Sequence, residues 1–433
     1  MKTYKEPSRE LPVIAQVDVL VCGGGPAGIG AAFRAAKEGA DTMIIESQDC
    51  LGGVATAGMM SHWGGRSSSK IMVEVWERTY EKCVESLGWC HENDGKNLAQ
   101  IHHGAQKITL DEMANELGVK VLYYTFVCDA IVENDTIKGV VIENKSGRSV
   151  ILAKRVIDST GDGDVAFHAG VPYFKGRETD GRMQPATLMF KIGGVDYERA
   201  VFPGSFESKV ETEKGELQAL AKEIIPFPAG HVLLYRQPTP NTVCCNMTNA
   251  IEIDGTDAES VTKGLMICRS QIKPIIDFLH EYVPGYENCW LMSEGSLLGI
   301  RETRHFEGYK SLTPEDILEA RLHEDWVVRR AFFNFDVHNL TGASLDKTGV
   351  QHEWKQPDDY SIPYGCILPK KIDNLLLSGR NISGSHLAHS NYRIMSVCMA
   401  LGEAAGAAAA ISIKDNCALK DVDIKKIQIS VGE

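Results

Sequence analysis

The chain predicts an α/β fold: a doubly wound parallel sheet with a small antiparallel meander inserted in it, and a second, α+β domain placed against it. Three observations lead there. Residues 17–22 form a compact apolar run broken only by Asp18, suited to a strand buried on both faces. A glycine-rich turn, an alanine-rich stretch and a second apolar run follow at once, giving strand, turn, helix, strand. Between 171 and 361 this alternation gives way to mixed strand-like and helical segments.

Taken in order, Pro26 suits the first helical position, where its missing N–H costs no hydrogen bond. Residues 27–38 predict a helix that Gly39 ends, and 42–46 the second strand. The stretch 66–106 is less regular, with a helix expected over 71–85. Residues 109–117 read as a helix stopped by Gly118, and 119–127 as a strand. Three short runs, 130–133, 137–142 and 148–153, with turns at Asn134-Asp135 and Lys145-Ser146-Gly147, predict the meander; 155–159 returns to the parallel sheet. In the middle of the chain strands are expected over 186–192, 232–235 and 242–246, and helices over 258–282 and 314–330. Thr313-Pro314-Glu315-Asp316 is a sound helix start, with a Thr cap, Pro at the first helical position and acids in the first turn. A strand over 374–377 and an Ala/Gly-rich helix from about Met395 complete the first domain.

The 433 residues carry 45 Lys plus Arg against 58 Asp plus Glu, a net charge of −13 that disfavours nucleic acid or anionic membrane as partners. The 12 cysteines show no CxxC and no Cys/His zinc spacing. Most, such as Cys22, Cys128 and Cys398, sit in apolar runs and read as buried free thiols of a reducing compartment. The vicinal pair Cys244-Cys245 reads as two buried strand thiols rather than a redox couple. The polar first 16 residues lack the apolar core of a signal peptide, and Glu403 interrupts the one long apolar stretch, 395–413. The expectation is a cytoplasmic protein with a buried Ala/Gly helix; the oligomeric state is not specified by these features.

Gly23, Gly25 and Gly28 form G-x-G-x-x-G between strand and helix. The first glycine permits the tight turn, the second lets backbone approach a pyrophosphate, and the third lets helix and strand pack closely. The helix N-terminus then faces the phosphates with free N–H groups. Glu46, at the end of the next strand, can accept hydrogen bonds from ribose hydroxyls. This pattern predicts a dinucleotide ligand without separating NAD from FAD.

Three further segments bear on that choice: Leu51-Gly52-Gly53-Val54-Ala55-Thr56-Ala57-Gly58, Val156-Ile157-Asp158-Ser159-Thr160-Gly161-Asp162-Gly163-Asp164, and Asn374 to Arg380 followed by Ser390 to Met395. With them the sequence resembles the FAD-dependent oxidoreductases of the glutathione-reductase structural type, in the branch near fumarate reductase flavoproteins. The resemblance implies that the 51–58 loop runs along the pyrophosphate and isoalloxazine and that the Thr-Gly turn passes close to the cofactor. It sets the ribityl chain against Gly379-Arg380 and the flavin pyrimidine edge over the N-terminus of the Ala/Gly helix. The FAD contacts it implies are Gly23, Gly25, Pro26, Ala27, Gly28, Glu46, Gly52, Gly53, Ala55, Thr56, Val127, Ser159, Thr160, Gly161, Gly379, Arg380, Arg393, Ile394 and Met395. The chain then divides into an FAD-binding domain, 1–170 and 362–433 with 66–106 as an irregular insertion, and a substrate or cap domain, 171–361. The resemblance covers 12–66, 107–176 and 362–412, extends through 299–304 and 335–338, and is weak over 66–106 and 200–285. A second G-x-G-x-x-G is missing and Cys50 stands alone near Gly53, which disfavours disulfide reduction. Asp158, Asp162 and Asp164 lack the EF-hand pattern, so no metal is expected; a tight turn followed by a helix capped by Asp164 is.

His62, Arg301, Arg304, His338, His386, His389 and Arg393 are the candidates for chemistry, and Arg301, Arg304, His338 and His389 are taken as catalytic. Arg301 and Arg304 would clamp a carboxylate, and His338 would move a proton, its unperturbed pKa lying near neutrality. For each residue alone, a salt bridge or core hydrogen bond accounts for its type equally well. A clean match to the fumarate-reductase catalytic motif is lacking. The expected activity is hydride transfer between flavin N5 and a small polar, anionic organic substrate, with an unidentified electron donor or acceptor. Two other classes stay open: an NAD-dependent dehydrogenase without flavin, and a non-redox protein or subunit of an electron-transfer complex.

Overall fold

The computed structural model describes residues 2–85, 99–344 and 356–432. Its first sheet is built on β1 (Val13–Cys22), flanked in parallel by β2 (Thr42–Ile45), beyond which lies β3 (Lys120–Leu122). On the other side of β1 come β6 (Gly147–Asp158), β5 (Thr136–Asn144) and β4 (Phe126–Glu133), in the order β3-β2-β1-β6-β5-β4. The first half of β6 pairs antiparallel with β5, while its last residues pair parallel with the strand Leu375–Leu377. The predicted meander is present, but its third strand and the returning strand are one continuous β6. A single strand can serve both because its two ends face different neighbours.

The strand expected over 119–127 is interrupted. Tyr124 adopts a left-handed φ of +52°, and Tyr124 and Thr125 donate their N–H groups to Gln48 O and Glu46 O, tying this segment to the end of β2. Val127 therefore belongs to β4, opposite Ile142.

Helix α1 (Pro26–Lys37) crosses the long helix Met395–Lys414 through small residues. A Cβ at Gly402 would lie 1.9 Å from Ala27 O, and one at Gly406 2.2 Å from Ala31 O. Met395–Lys414 is long and apolar enough to cross a membrane by composition, but 94% of its apolar window is buried inside the protein. Its one acid, Glu403, is buried against the Arg34 guanidinium at 2.6 Å and also accepts from Ser69 and the Ile71 N–H.

The middle of the chain folds into a four-stranded antiparallel sheet in the order Leu234–Arg236, Val243–Cys245, Phe190–Gly193, Trp290–Glu294. Helix Ala258–Tyr282 forms as predicted and buries Ile275, Phe278 and Leu279 against this sheet's Phe190, Ile192 and Val243. The strand expected over 186–192 is ladder only from Phe190; Ala186 and Thr187 make isolated bridges. The helix expected over 314–330 is one short turn, Pro314–Leu318. Its start is as predicted, with Thr313 and Asp316 in a reciprocal capping box. It stops because Ala320 turns left-handed (φ +48°) and the β-branched pair Val327-Val328 enters a strand, Trp326–Ala331, paired with Tyr360–Pro363. Phe306, Leu312, Val328 and Phe335 pack into the core of the first sheet rather than the second.

Candidate cofactor and substrate site

The glycine turn separates packing from ligand space. A Cβ on Gly23 (φ +99°) would meet Ser159 O at 2.3 Å, and one on Gly28 would meet Gly23 O at 1.8 Å. On Gly25 it would meet no atom within 4 Å. Two glycines thus let backbone pack on backbone, and the third faces open space at the start of α1. Pro26 is the first residue of that helix and no side chain caps it, so its terminal N–H groups remain for an anion; Ala27 follows and is buried. Glu46 Oε2 accepts from the Gly24 N–H at 2.6 Å, and Oε1 from Gln48 N–H at 2.8 Å and the Ser47 hydroxyl at 3.0 Å. A carboxylate has about four acceptor positions, so Glu46 keeps capacity for a hydroxyl while fixing the turn.

The 51–58 loop lies on the turn, a Cβ on Gly53 falling 2.9 Å from Gly25 Cα. Gly52 is left-handed (φ +109°) and accepts the Ala55 N–H at 3.0 Å. Thr56 directs its hydroxyl inward to Leu51 O at 2.6 Å, bracing the loop. At the carboxyl ends of β6 and Leu375–Leu377, the hydroxyls of Ser159 and Ser378 are buried without a hydrogen-bond partner. Orphaned donors in the crevice beyond strand ends are where an α/β sheet holds its ligand. Gly161 lies under the Arg380 guanidinium, which pairs with Asp162 at 2.7 Å, and Gly379 (φ +99°) lies 3.0 Å, as a virtual Cβ, from Ala27 Cβ. Ile394 is the uncapped N-cap of the helix that begins at Met395. Open space at Gly25, two uncapped helix termini and the orphan hydroxyls together fit FAD.

Asp164 does not cap the helix after the Thr-Gly turn. Gly163 holds the cap position, the Asp158 carboxylate accepts the Ala166 N–H at 2.8 Å, and Thr160 Oγ1 accepts the Asp164 N–H at 2.8 Å. Asp158 is fully buried, so its carboxylate is better placed to satisfy these donors than the half-exposed Asp164.

The catalytic candidates separate into three groups. Arg301, Asp336, His338 and Arg393 converge. Arg393 donates to Asp336 Oδ2 at 2.9 Å and to its carbonyl at 2.8 Å, and His338 Nε2 stands 3.4 Å from the same carboxylate. Arg301 donates to Pro185 O at 2.5 Å; burial and the neighbouring Arg393 push its pKa down to about 10. Burial, then Arg301, push His338 down to about 4, with Asp336 working against them. Burial would raise Asp336, but His338, Arg393 and Arg301 hold it below the usual carboxylate range. Arg301, Asp336 and Arg393 are each partly exposed.

Arg304 has other partners. It donates to Asp164 Oδ1 and Asp162 O, both at 2.9 Å, and lies 4.2 Å over the Phe167 ring. His389 belongs to a third group with Glu302, His305 and His386, its ring 4.8 Å from that of His305. His62 bonds Ser61 Oγ at 2.7 Å and its ring lies 5.0 Å from Tyr235.

Sequence reasoning missed Asp336, Tyr235 and Lys191 as site residues. Tyr235, Cys244 and Lys191 are directly opposite one another on adjacent strands and so share a face of the second sheet. That face meets the end of the 51–58 loop, where Cys244 Sγ donates to Met59 O at 3.2 Å. Burial lowers the Lys191 pKa. Period-two alternation identifies residues sharing a face, but not which face meets the 51–58 loop. For Asp336 the signal was present, two residues before His338.

Among known proteins, thiamine thiazole synthase of Methanococcus vannielii is 33% identical over 165 residues, 34% of this chain and 57% of that protein. The Aeropyrum pernix thiamine thiazole synthase is 35% identical over 127 residues, 29% of this chain and 43% of its own length. The chain thus matches about half of each relative. The solved structure of the flavin-dependent brominase Bmp2 has a TM-score of 0.52 at 12% identity, covering 96% of this chain and 84% of that one, and shows a shared fold alone. The FAD dependent oxidoreductase family matches residues 18–431, nearly the whole chain, and the protein belongs to that family, an enzyme with FAD as its cofactor.

Proposed function

We propose that the enzyme transfers a hydride between its FAD and a small organic anion held by Arg301 and Arg393. Family membership removes the flavin-free dehydrogenase that the glycine motif left open. The thiazole synthase likeness covers about a third of the chain and does not carry that activity over. Bound FAD supplies a two-electron acceptor or donor; the remaining roles fall to the protein. The observation behind the reading is a charge imbalance in this cluster: two guanidiniums, Arg301 and Arg393, lie near a single carboxylate, Asp336, which is bonded to Arg393 alone. With His338 neutral at pH 7 the group carries a net charge of one positive unit, which a monoanion would balance.

Asp336 orients Arg393, and the Pro185 carbonyl orients Arg301. A substrate carboxylate placed between the guanidiniums would raise the His338 pKa, since a neighbouring anion favours the imidazolium. His338 then becomes a stronger base when substrate is bound, which couples proton transfer to binding. The free thiols of the described cysteines suit the cytoplasm.

The test is an anaerobic screen of small carboxylates and their neutral amides, read by bleaching of the flavin band. Carboxylates should bleach the wild type, and Arg301→Lys should lose roughly two orders of magnitude or more in that half-reaction, because an ammonium cannot reproduce the guanidinium fork. Arg304→Lys should bleach normally. Equal bleaching by amides and carboxylates, insensitive to Arg301→Lys, would sink the reading.

A further inference from the structure

The buried group containing His389 is a candidate for more than packing. Glu302 and His305 are three residues apart, as are His386 and His389 on the helix His386–Tyr392, so each pair projects its side chains from one short stretch. A carboxylate oxygen of Glu302 and one nitrogen each of His305 and His389 all lie within 4.8 Å of one another. Glu302 and His305 are fully buried and His389 is 1% exposed. We propose that Glu302, His305 and His389 bind one divalent first-row transition-metal ion, with His386 orienting the carboxylate. This inference is independent of the substrate reading.

Three observations support it. First, His389 Nδ1 is buried with no hydrogen-bond partner, although buried polar atoms are nearly always paired, and His305 turns its Nε2 to the same carboxylate. Second, the Glu302 charge lacks a strong cationic counterpart. Its Oε1 accepts from His305 Nε2 at 2.9 Å and His386 Nδ1 at 2.7 Å, and Oε2 from the Gln184 N–H at 3.1 Å. Among the described residues no Arg or Lys pairs with it, whereas Asp336 and Asp162 each have an arginine. Third, two imidazoles and a carboxylate suit zinc, cobalt or iron(II) and disfavour calcium and magnesium, which prefer oxygen ligands. The two pairs are 84 residues apart from Glu302 to His386, so no contiguous zinc-spacing motif is needed to assemble them.

The ion would tie the segment that carries Arg301 to the helix that leads into Arg393, and so brace both guanidiniums. The His386 N–H bond would hold the carboxylate in place, as an outer hydrogen bond commonly does for a ligating group.

The experiment uses the FAD-loaded full chain, expressed in medium supplemented with Co2+ or Zn2+ so that the buried site can fill during folding, then desalted. Metal per chain is measured by plasma mass spectrometry, and cobalt ligation by d–d absorption to the red of the flavin band. We expect about one ion per chain. Glu302→Gln, which keeps size and an acceptor oxygen, and His389→Ala should each reduce it roughly tenfold or more while bound FAD is retained. The control His168→Ala, at a partly exposed histidine beside Asp129, should keep it. Wild-type protein with less than about a tenth of an ion per chain from both media would overturn the proposal without reference to any variant. So would metal retained in both Glu302→Gln and His389→Ala.

Discussion

At the scale of single residues, the glycine turn distinguishes two reasons for having no side chain. Gly25 borders open space, so Gly25→Val should fold, give a normal far-ultraviolet spectrum and emerge without flavin, because the branched side chain fills the pyrophosphate's approach. Gly28→Val places its Cβ 1.8 Å from a backbone carbonyl and should fail to accumulate as folded protein, with or without added FAD. Flavin stoichiometry and thermal melts of the two variants check this; a yellow Gly25→Val would show that the open space is not the cofactor's. The catalytic candidates carry a similar lesson. Arg301 and Arg304 are three positions apart in sequence, yet one lies near Arg393 and Asp336 and the other pairs with Asp164.

At the scale of elements, the crossing of α1 with Met395–Lys414 links stability to cofactor geometry. The helix whose N-terminus is expected to face the flavin is also the one whose Gly402 and Gly406 touch the backbone of α1. Gly402→Ala should force the helices apart and destabilise the protein by about 1–3 kcal/mol, or more where the backbone cannot move. Because the same shift displaces Met395 from the end of α1, FAD should dissociate more readily from the folded variant. Denaturant midpoints and FAD dissociation measured together check it; a lost midpoint with unchanged FAD affinity would show that the crossing and the cofactor site are uncoupled.

For the whole molecule, the buried imidazoles determine how stability responds to acid. Burial pushes His103 and His231 down to about 3 and His338 to about 4. An unfolded histidine titrates near 6.5, so the unfolded chain takes up protons first as pH falls. Stability from these three groups is complete above about pH 6.5 and is lost between there and about pH 4 for His338 and about pH 3 for His103 and His231. Asp158 opposes them: burial raises it to about 6, so its contribution grows as pH falls below that value. Each such imbalance is worth at most one proton, or roughly 1.4 kcal/mol per pH unit, and Asp158 offsets about one of the histidines. Urea unfolding of the holoenzyme between pH 7.5 and 5 should show the decline, and His231→Gln should make it shallower by about one proton. A midpoint independent of pH over that range would refute neutral burial of these rings.

What the sequence determined by itself was local: the βαβ unit, the glycine turn, Glu46 at the strand end, the Thr313 helix start and the long helix Ala258–Tyr282. Each rests on periodicity or on backbone constraints contained within a few residues, so no distant partner was needed to recognise it. The tertiary structure decided what depends on partners. It joined the meander's last strand to β6 and cut short the helix after Leu318 in favour of pairing with Tyr360–Pro363. It turned the Tyr235–Cys244–Lys191 row towards the end of the 51–58 loop and separated Arg304 from Arg301. It also lowered His338 far from the neutral value its residue type suggests, because burial and a neighbouring guanidinium outweigh the nearby Asp336. Alternation and residue type specify what a side chain is able to do; which groups surround it, and at what dielectric, follows only from the packing of segments hundreds of residues apart.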